Sequence, residues 1–147
     1  MKQIEIKAAI ENLIDTFLYA GKVSIELRKK GLIKEIKEDN TPVSNGDLEV
    51  NRILTEKINN LTPQIPIVSE ETSHNKSKKD LKNFWLIDPI DGTYDYINDL
   101  EEFTLNAGLI INNRAVAGII YAPAKNRLFY SYEKGCSFEI INSQHVN

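Results

Sequence analysis

Apolar residues recur at helical spacing through the N-terminal segment of the chain. Between residues 3 and 29 they return every three or four positions, with charged residues in the intervals. This spacing places the apolar side chains on one face, so it predicts an amphipathic helix. Gly31 follows and is typical of a helix end. The apolar face consists of Ile6, Ile10, Leu13, Ile14, Phe17, Leu18 and Ile25.

A second helix is predicted to begin near Ser44. The order Ser44-Asn45-Gly46-Asp47 fits a capping box, in which a serine and an acid three residues later bond each other's backbone amides. The apolar residues that follow share one helical face: Val50, Ile53, Leu54, Ile58 and Leu61. This pattern gives Asp47 a structural interpretation as a capping acid, which requires no other function.

Shorter apolar runs, typical of strands, fill the rest of the chain. Those at 65–68 and 84–87 predict two buried strands that end directly in carboxylates, and the polar segment 72–83 predicts a loop. Five further strands are predicted at 32–37, 103–111, 115–121, 128–132 and 137–141. Helices followed by a run of strands indicate an α+β fold, with the helices packed on one side of a largely antiparallel sheet.

The composition limits the kinds of binding site that the chain can form. The 147 residues fit one domain, and a net charge of −3 argues against a nucleic-acid-binding protein. The single cysteine, Cys136, excludes an intramolecular disulfide and a cysteine-based zinc site, and His74 and His145 have no metal-ligand spacing. Any metal must therefore be held by oxygen, which favours Mg²⁺, Mn²⁺ or Ca²⁺.

Neither a signal peptide nor a transmembrane segment is expected. The first residues lack the apolar core of a signal peptide, and no apolar run approaches the ~20 residues that cross a bilayer. A cytoplasmic location is the expectation, with peripheral association with the inner membrane left open.

The most informative segment is Asp88-Pro89-Ile90-Asp91-Gly92-Thr93. A buried strand is predicted to stop at Asp88, and a turn at Pro89 would aim Asp88 and Asp91 at one point. Gly92 and Thr93 then lead into a short helix, whose first N–H groups can bind phosphate. Two carboxylates, a hydroxyl and free amides are what metal-assisted phosphate hydrolysis requires. The alternative interpretation is a plain β-turn.

Glu70 and Glu71 follow the other buried run. Taken alone, they are more typical of a solvated loop entrance than of a functional site. Gathering these two acids with Asp47, Asp88 and Asp91 would be costly without a counterion, because each carboxylate disfavours ionisation of its neighbours. Divalent cations would remove that cost, so the set as a whole indicates a metal site.

The motifs resemble those of the lithium-sensitive, Mg²⁺-dependent phosphatases of the inositol monophosphatase superfamily. Three signatures occur in order at 39–47, 69–71 and 88–93. The flanks 65–71, 102–106 and 118–124 look most like 3′(2′),5′-bisphosphate nucleotidases of the CysQ type. One departure is Tyr94-Asp95-Tyr96, where those enzymes usually have Lys-Glu-Phe.

The resemblance implies a role for each matching residue. Glu70, Asp88, Asp91 and the backbone carbonyl of Ile90 would ligate two or three Mg²⁺ ions, and Glu71 would shape an accessory metal site. Asp47 and Thr93 would position and activate the attacking water. Gly92 and Thr93 would hold the phosphate through backbone amides, beside Glu70 and Asp91. The implied partners are a small phosphate ester and, as in many family members, a second copy of the chain.

The implied function is hydrolysis of 3′-phosphoadenosine 5′-phosphate. An inositol monophosphate is the main alternative substrate, and a fructose bisphosphate is a weaker third. Family members also have a second α/β half with a Trp-Asp signature, whereas the only tryptophan here is Trp85. Residues 1–147 are therefore expected to be the N-terminal metal-binding domain of the family fold without its C-terminal half. A catalytically inactive metal-binding or interaction domain is the alternative from another class.

Overall fold

Three helices and eight strands make up residues 1–71 and 81–141, the part of the chain that this computed structural model describes. In chain order they are α1 (Gln3–Lys30), β1 (Lys34–Ile36), β2 (Pro42–Ser44), α2 (Asn45–Leu61), β3 (Ile67–Ser69), β4 (Phe84–Asp91), α3 (Thr93–Ile97), β5 (Thr104–Ile111), β6 (Arg114–Ala122), β7 (Arg127–Glu133) and β8 (Cys136–Ile141).

Both long helices begin and end close to their predicted bounds. Helix α1 ends at Gly31, whose φ of +95° is a conformation that side chains disfavour. Helix α2 begins with the predicted capping box, because Ser44 and Asp47 bond each other's backbone amides. The apolar stripes of the two helices pack against each other and against the sheet.

The main sheet has six strands in the order β3-β4-β5-β6-β7-β8. Only the β3–β4 pair is parallel within it, and the other four pairings are antiparallel. The predicted arrangement of helices on a largely antiparallel sheet is thus confirmed. Strands β1 and β2 form a separate two-stranded hairpin that leads into α2.

The core lies between the helices and one face of the main sheet. Phe17 of α1 and Leu109 of β5 are fully buried there, as is Trp85, whose indole N–H donates to Thr62 Oγ1 at 2.9 Å. The opposite face, here called the helix-free face, carries side chains of alternate positions on each strand. Its central members are Leu86, Gly108, Gly118, Ile120 and Phe129.

Three local predictions need correction or qualification. Strand β4 does not stop at Asp88 but continues to Asp91 through a register shift, and a bulge of this kind tolerates Pro89, which has no N–H to donate. Strand β2 was not predicted, because its three residues are too few to show a period. Most of the predicted loop 72–83, together with His74 and His145, lies outside the described residues.

Candidate active site

The parallel pair β3–β4 places acidic residues side by side. Ser69, the last residue of β3, pairs with Ile87 of β4, and the Glu70 N–H donates to the Ile87 carbonyl at 3.2 Å. Glu70 and Glu71 therefore leave the sheet beside Asp88. Because the carboxyl ends of parallel strands meet at one edge, residues distant in sequence converge here.

The bulge at the end of β4 separates two carboxylates. Asp88 is paired with Asn106, and the next paired residue is Asp91, opposite Thr104. Asp88 is half-buried, whereas Asp91 is exposed. Gly92 then reverses the chain with a φ of +88° and starts α3.

Asp47 reaches this edge from the N-terminus of α2. Its side chain is fully buried, and Oδ2 accepts hydrogen bonds from the Ser44 N–H at 2.9 Å and the Ser44 hydroxyl at 2.5 Å. Its other oxygen, Oδ1, accepts the Thr93 hydroxyl at 2.8 Å. The capping acid is thus also bound to the first residue of α3.

Burial and neighbouring carboxylates raise the proton affinity of Asp88 and Glu71. Burial, followed by the charges of Asp91, Glu70, Glu71 and Asp47, raises the pKa of Asp88 from 3.8 to about 6. Burial also raises the pKa of Glu71, while the nearby Lys37 ammonium lowers it and the charges of Asp47 and Glu70 raise it further. All five predicted acids therefore share one electrostatic neighbourhood.

One cation partly offsets this negative charge. Lys37, which directly follows β1, lies with its Nζ 3.7 Å from Glu71 Oε2. The Glu71 side chain is only 7% exposed, so it is the more enclosed member of the Glu70–Glu71 pair. The predicted accessory residue thus already has a protein counterion.

The donor set fits a hard divalent cation in its chemistry. The five acids offer carboxylate oxygens and Thr93 offers a hydroxyl oxygen, which are the donors that Mg²⁺ prefers, and together these side chains are strongly negative. Within residues 1–71 and 81–141, however, no three acidic, His or Cys side chains already surround one point as metal ligands. The Ile90 carbonyl is 3.2 Å from the Thr93 hydroxyl. The proposed ligand roles of Glu70, Asp88, Asp91 and Ile90 remain predictions.

Comparison with known proteins identifies the family. The sequence profile of the inositol monophosphatase family matches residues 6–145. The chain belongs to this family. The fold and the resemblance inferred from the three signatures are thereby confirmed, and family members are generally Mg²⁺-dependent phosphatases.

Two bacterial relatives bear the name 3′(2′),5′-bisphosphate nucleotidase CysQ. The protein from Aggregatibacter actinomycetemcomitans is 34% identical over 139 residues, covering 93% of this chain and 52% of the relative. The protein from Haemophilus influenzae is 38% identical over 127 residues, covering 85% of this chain and 46% of the relative. The chain thus spans about half the length of these family members.

Solved structures of the family share the fold. The IMPase of Thermotoga maritima matches with a TM-score of 0.77 at 25% identity, over 93% of this chain and 52% of that one. A staphylococcal inositol monophosphatase matches with a TM-score of 0.78 at 17% identity, over 95% of this chain and 52% of that one. No helix in the described parts of the chain has the apolar length needed to cross a membrane.

Two supporting residues were missed in the sequence. Asn51 lies one helical turn after Asp47, and its side-chain oxygen accepts the Ser69 hydroxyl at 2.5 Å. A buried polar residue within an apolar helical stripe is the signal that could have found it. Asn106 donates to the Asp88 carbonyl at 3.4 Å, but a strand asparagine alone gives no comparable signal.

Proposed function

We propose that this chain is the N-terminal, metal-carrying domain of a Mg²⁺-dependent phosphomonoesterase that acts on 3′-phosphoadenosine 5′-phosphate. The observation that carries the proposal is the Thr93–Asp47 hydrogen bond. It joins the N-termini of α2 and α3 beside the acidic ends of β3 and β4. A polarised hydroxyl next to a cluster of oxygen ligands suits hydrolysis by an activated water.

The Thr93 hydroxyl has a single proton, and its two neighbouring acceptors are unequal. Asp47 Oδ1 lies at 2.8 Å, whereas the Ile90 carbonyl lies at 3.2 Å. The proton therefore goes to the carboxylate, which leaves the lone pairs of Thr93 Oγ1 to accept a hydrogen bond from water. As that water attacks phosphorus, its proton passes through Thr93 to Asp47, the phosphate–ester oxygen bond breaks, and the leaving alcohol oxygen takes up a proton from solvent water. Asp47 then returns its proton to solvent.

Asp47 suits the role of proton acceptor because its position is fixed. Ser44 holds one carboxylate oxygen through two hydrogen bonds, so the other stays directed at Thr93. A base held in place does not lose orientation during the reaction. Water activation thus depends on a cap that also stabilises α2.

Glu70, Asp88, Asp91 and the Ile90 carbonyl are the proposed ligands of two or three Mg²⁺ ions, with Glu71 as an accessory ligand. The ions, when bound, supply positive charge that stabilises the phosphate oxygens. Gly92 and Thr93 are proposed to orient the phosphate through their amides, bordered by Glu70 and Asp91. The raised pKa of Asp88 supports the ligand assignment, because a bound cation would offset both the burial and the neighbouring negative charges that raise it.

The names of the relatives support 3′-phosphoadenosine 5′-phosphate as the proposed substrate. Those from Aggregatibacter actinomycetemcomitans and Haemophilus influenzae are bisphosphate nucleotidases and match over most of this chain. The inositol monophosphatase structures support the same fold at lower identity. An inositol monophosphate is therefore the comparison substrate in any assay.

The test is phosphate release by the purified chain from 3′-phosphoadenosine 5′-phosphate and from inositol 1-phosphate, with Mg²⁺ or with EDTA. We expect Mg²⁺-dependent release that prefers the nucleotide. Thr93→Val should lower kcat by about a hundredfold or more, because it is nearly isosteric but cannot relay a proton. Thr93→Ser should retain most activity.

Three results would contradict parts of this proposal. Faster phosphate release from inositol 1-phosphate than from the nucleotide would contradict the proposed substrate. Equal activity of Thr93→Val and the wild type would contradict proton transfer through Thr93 to Asp47. A folded chain that binds Mg²⁺ by calorimetry but releases no phosphate would be a metal-binding domain without activity of its own.

A further inference from the structure

Tyr96 lies where the three helices meet. Its side chain is fully buried, and its hydroxyl donates to the Ser24 carbonyl of α1 at 2.6 Å. Its ring faces Gly46 in the first turn of α2, where an added Cβ would lie 2.2 Å from the hydroxyl oxygen and 2.7 Å from Cε2. Tyr96 itself belongs to α3. One side chain therefore touches every helix.

The contact between Tyr96 and Gly46 lies next to Asp47, the proposed proton acceptor. Asp47 follows Gly46 directly, and Thr93 begins the same short helix that carries Tyr96. The Tyr96 N–H donates to the Gly92 carbonyl at 2.9 Å, which closes the single turn between them. Any shift of the Tyr96 ring would therefore move both partners of the Thr93–Asp47 hydrogen bond.

Arg28 of α1 holds the same segment from the other side. Its guanidinium donates to the Leu100 carbonyl at 2.6 Å and lies 5.5 Å from the Tyr96 ring centroid and 4.9 Å from that of Phe103. It also forms an ion pair with Asp99 at 3.2 Å. The Arg28 side chain is only 12% exposed, so its contacts with the two rings are shielded from water, whereas its ion-pair partner Asp99 is 86% exposed.

The ring alone would not fix this arrangement. A five-residue helix has too few hydrogen bonds to be stable by itself. The Tyr96 hydroxyl adds a directional bond to α1, and a buried hydroxyl without such a partner would be costly. Burial, and then the charge of Asp47, raise the pKa of Tyr96, so the hydroxyl stays protonated and remains a donor.

We propose that Tyr96 is a positioning residue, whose hydrogen bond to Ser24 sets the placement of Thr93 against Asp47. Its relevance to catalysis rests on the function proposed above for the Thr93–Asp47 pair. The placement itself is a property of the folded chain and can be measured without turnover.

The experiment compares Tyr96→Phe with Tyr94→Phe. Tyr94 lies in the same helix, but its side chain is 70% exposed, so loss of its hydroxyl controls for the substitution. Amide hydrogen exchange and ¹H–¹⁵N shifts of Asp47 and Thr93 report the placement. We expect exchange at the Asp47 amide, which donates to Ser44 Oγ, to quicken about fivefold in Tyr96→Phe, and the ¹H–¹⁵N shifts of Asp47 and Thr93 to change; both should stay unchanged in Tyr94→Phe.

Turnover gives the second readout. In Tyr96→Phe, kcat should fall about five- to tenfold while KM stays constant, because the buried hydroxyl does not touch substrate. Gly46→Ala should reproduce the Asp47 and Thr93 shift changes by displacing the ring. The double variant should show smaller changes than the sum, since Tyr96→Phe removes the closest clash.

Two results would overturn the proposal. The first is a Tyr96→Phe variant with a lower Tm but with unchanged ¹H–¹⁵N shifts and amide exchange at Asp47 and Thr93 and an unchanged kcat. That result would show that the Tyr96 hydroxyl only stabilises the fold. The other is additive effects in Gly46→Ala/Tyr96→Phe. If the wild type releases no phosphate, the proposed function fails, while the exchange and shift data still decide the placement by Tyr96.

Discussion

Asp47 uses its two carboxylate oxygens for two different elements. Oδ2 completes the capping box of α2 through Ser44, and Oδ1 accepts the hydroxyl of Thr93. The sequence presents the cap and the catalytic role as alternatives, because each explains an acid three residues after Ser44. The structure shows that the two are compatible, because one oxygen serves the cap and the other is bound to Thr93. The catalytic role itself is the proposal made above.

Asp88 makes the metal-free chain less stable as the pH rises. Its pKa is raised from 3.8 to about 6, so the folded state holds the proton more tightly than the unfolded state does. The stability cost is absent below pH 4, grows between pH 4 and 6, and is complete above pH 6. Asp88→Asn should therefore raise the free energy of unfolding in EDTA at pH 8 by about 1–2 kcal/mol, after allowance for screening of a half-exposed group.

Urea denaturation at pH 8 and pH 4 measures this difference. The exposed Asp15 on α1 supplies the control, because Asp15→Asn should change stability little at either pH. Added Mg²⁺ should stabilise the wild type more than Asp88→Asn. An Asp88→Asn variant that is less stable than the wild type at pH 8 would contradict the electrostatic account.

At the scale of elements, the N-terminus of α2 depends on Ser44. Its hydroxyl donates to Asp47 Oδ2 and accepts the Asp47 N–H at 3.3 Å. Ser44→Ala should lower the free energy of unfolding by about 1–2 kcal/mol, because a buried cap is lost. Thermal unfolding measures this loss, and Ser137→Ala, at an exposed serine, is the control. Equal Tm values for the two variants would refute the prediction.

Gly92 joins β4 to α3 in a conformation that other residues resist. Its φ is +88°, and an added Cβ would lie 2.6 Å from the Glu102 carbonyl oxygen. Gly92→Ala should therefore destabilise the chain by about 2 kcal/mol or more. Gly135 has a similar φ of +83° but open space around it, so Gly135→Ala separates backbone strain from the clash. If Gly92→Ala lowers the free energy of unfolding less than Gly135→Ala does, the predicted clash with the Glu102 carbonyl oxygen is excluded.

Periodicity predicted the elements that are long enough to repeat a pattern. Helices α1 and α2 and the four strands from β5 to β8 were all found near their predicted bounds. The three-residue β2 and the continuation of β4 past Pro89 depend on tertiary pairing and were not predictable from a period. Likewise, Asp47, Glu70 and Asp88 could be selected by type and context, but the Lys37–Glu71 and Tyr96–Ser24 contacts required the fold.

At the scale of the whole molecule, the helix-free face leaves apolar side chains in contact with water. Ile120 is 45% exposed and Phe129 is 38% exposed; the two are paired across β6 and β7, next to the paired Gly108 and Gly118. The folded chain should therefore bind 1-anilinonaphthalene-8-sulfonate, because contiguous apolar surface takes up such dyes. Ile120→Thr/Phe129→Thr should lower the dye fluorescence by about half or more without loss of the folded state.

A matched pair of exposed isoleucines controls for this change. Ile33 and Ile36 are each 69% exposed but lie in or next to the small β1–β2 hairpin. Ile33→Thr/Ile36→Thr should leave dye binding near the wild-type level. Equal fluorescence loss in both double variants would show that the dye reports general apolar content and not the helix-free face.

The packing of α1 on β6 and β7 also sets the order in which the chain can mature during synthesis. Helix α1 leaves the ribosome before β6 and β7, because these strands follow β1 to β5 in the chain. Closing so long a loop delays those contacts. Helix α2 can cover part of the α1 stripe early, but the part that packs on β6 and β7 stays open until those strands are made, and there a holding chaperone could bind.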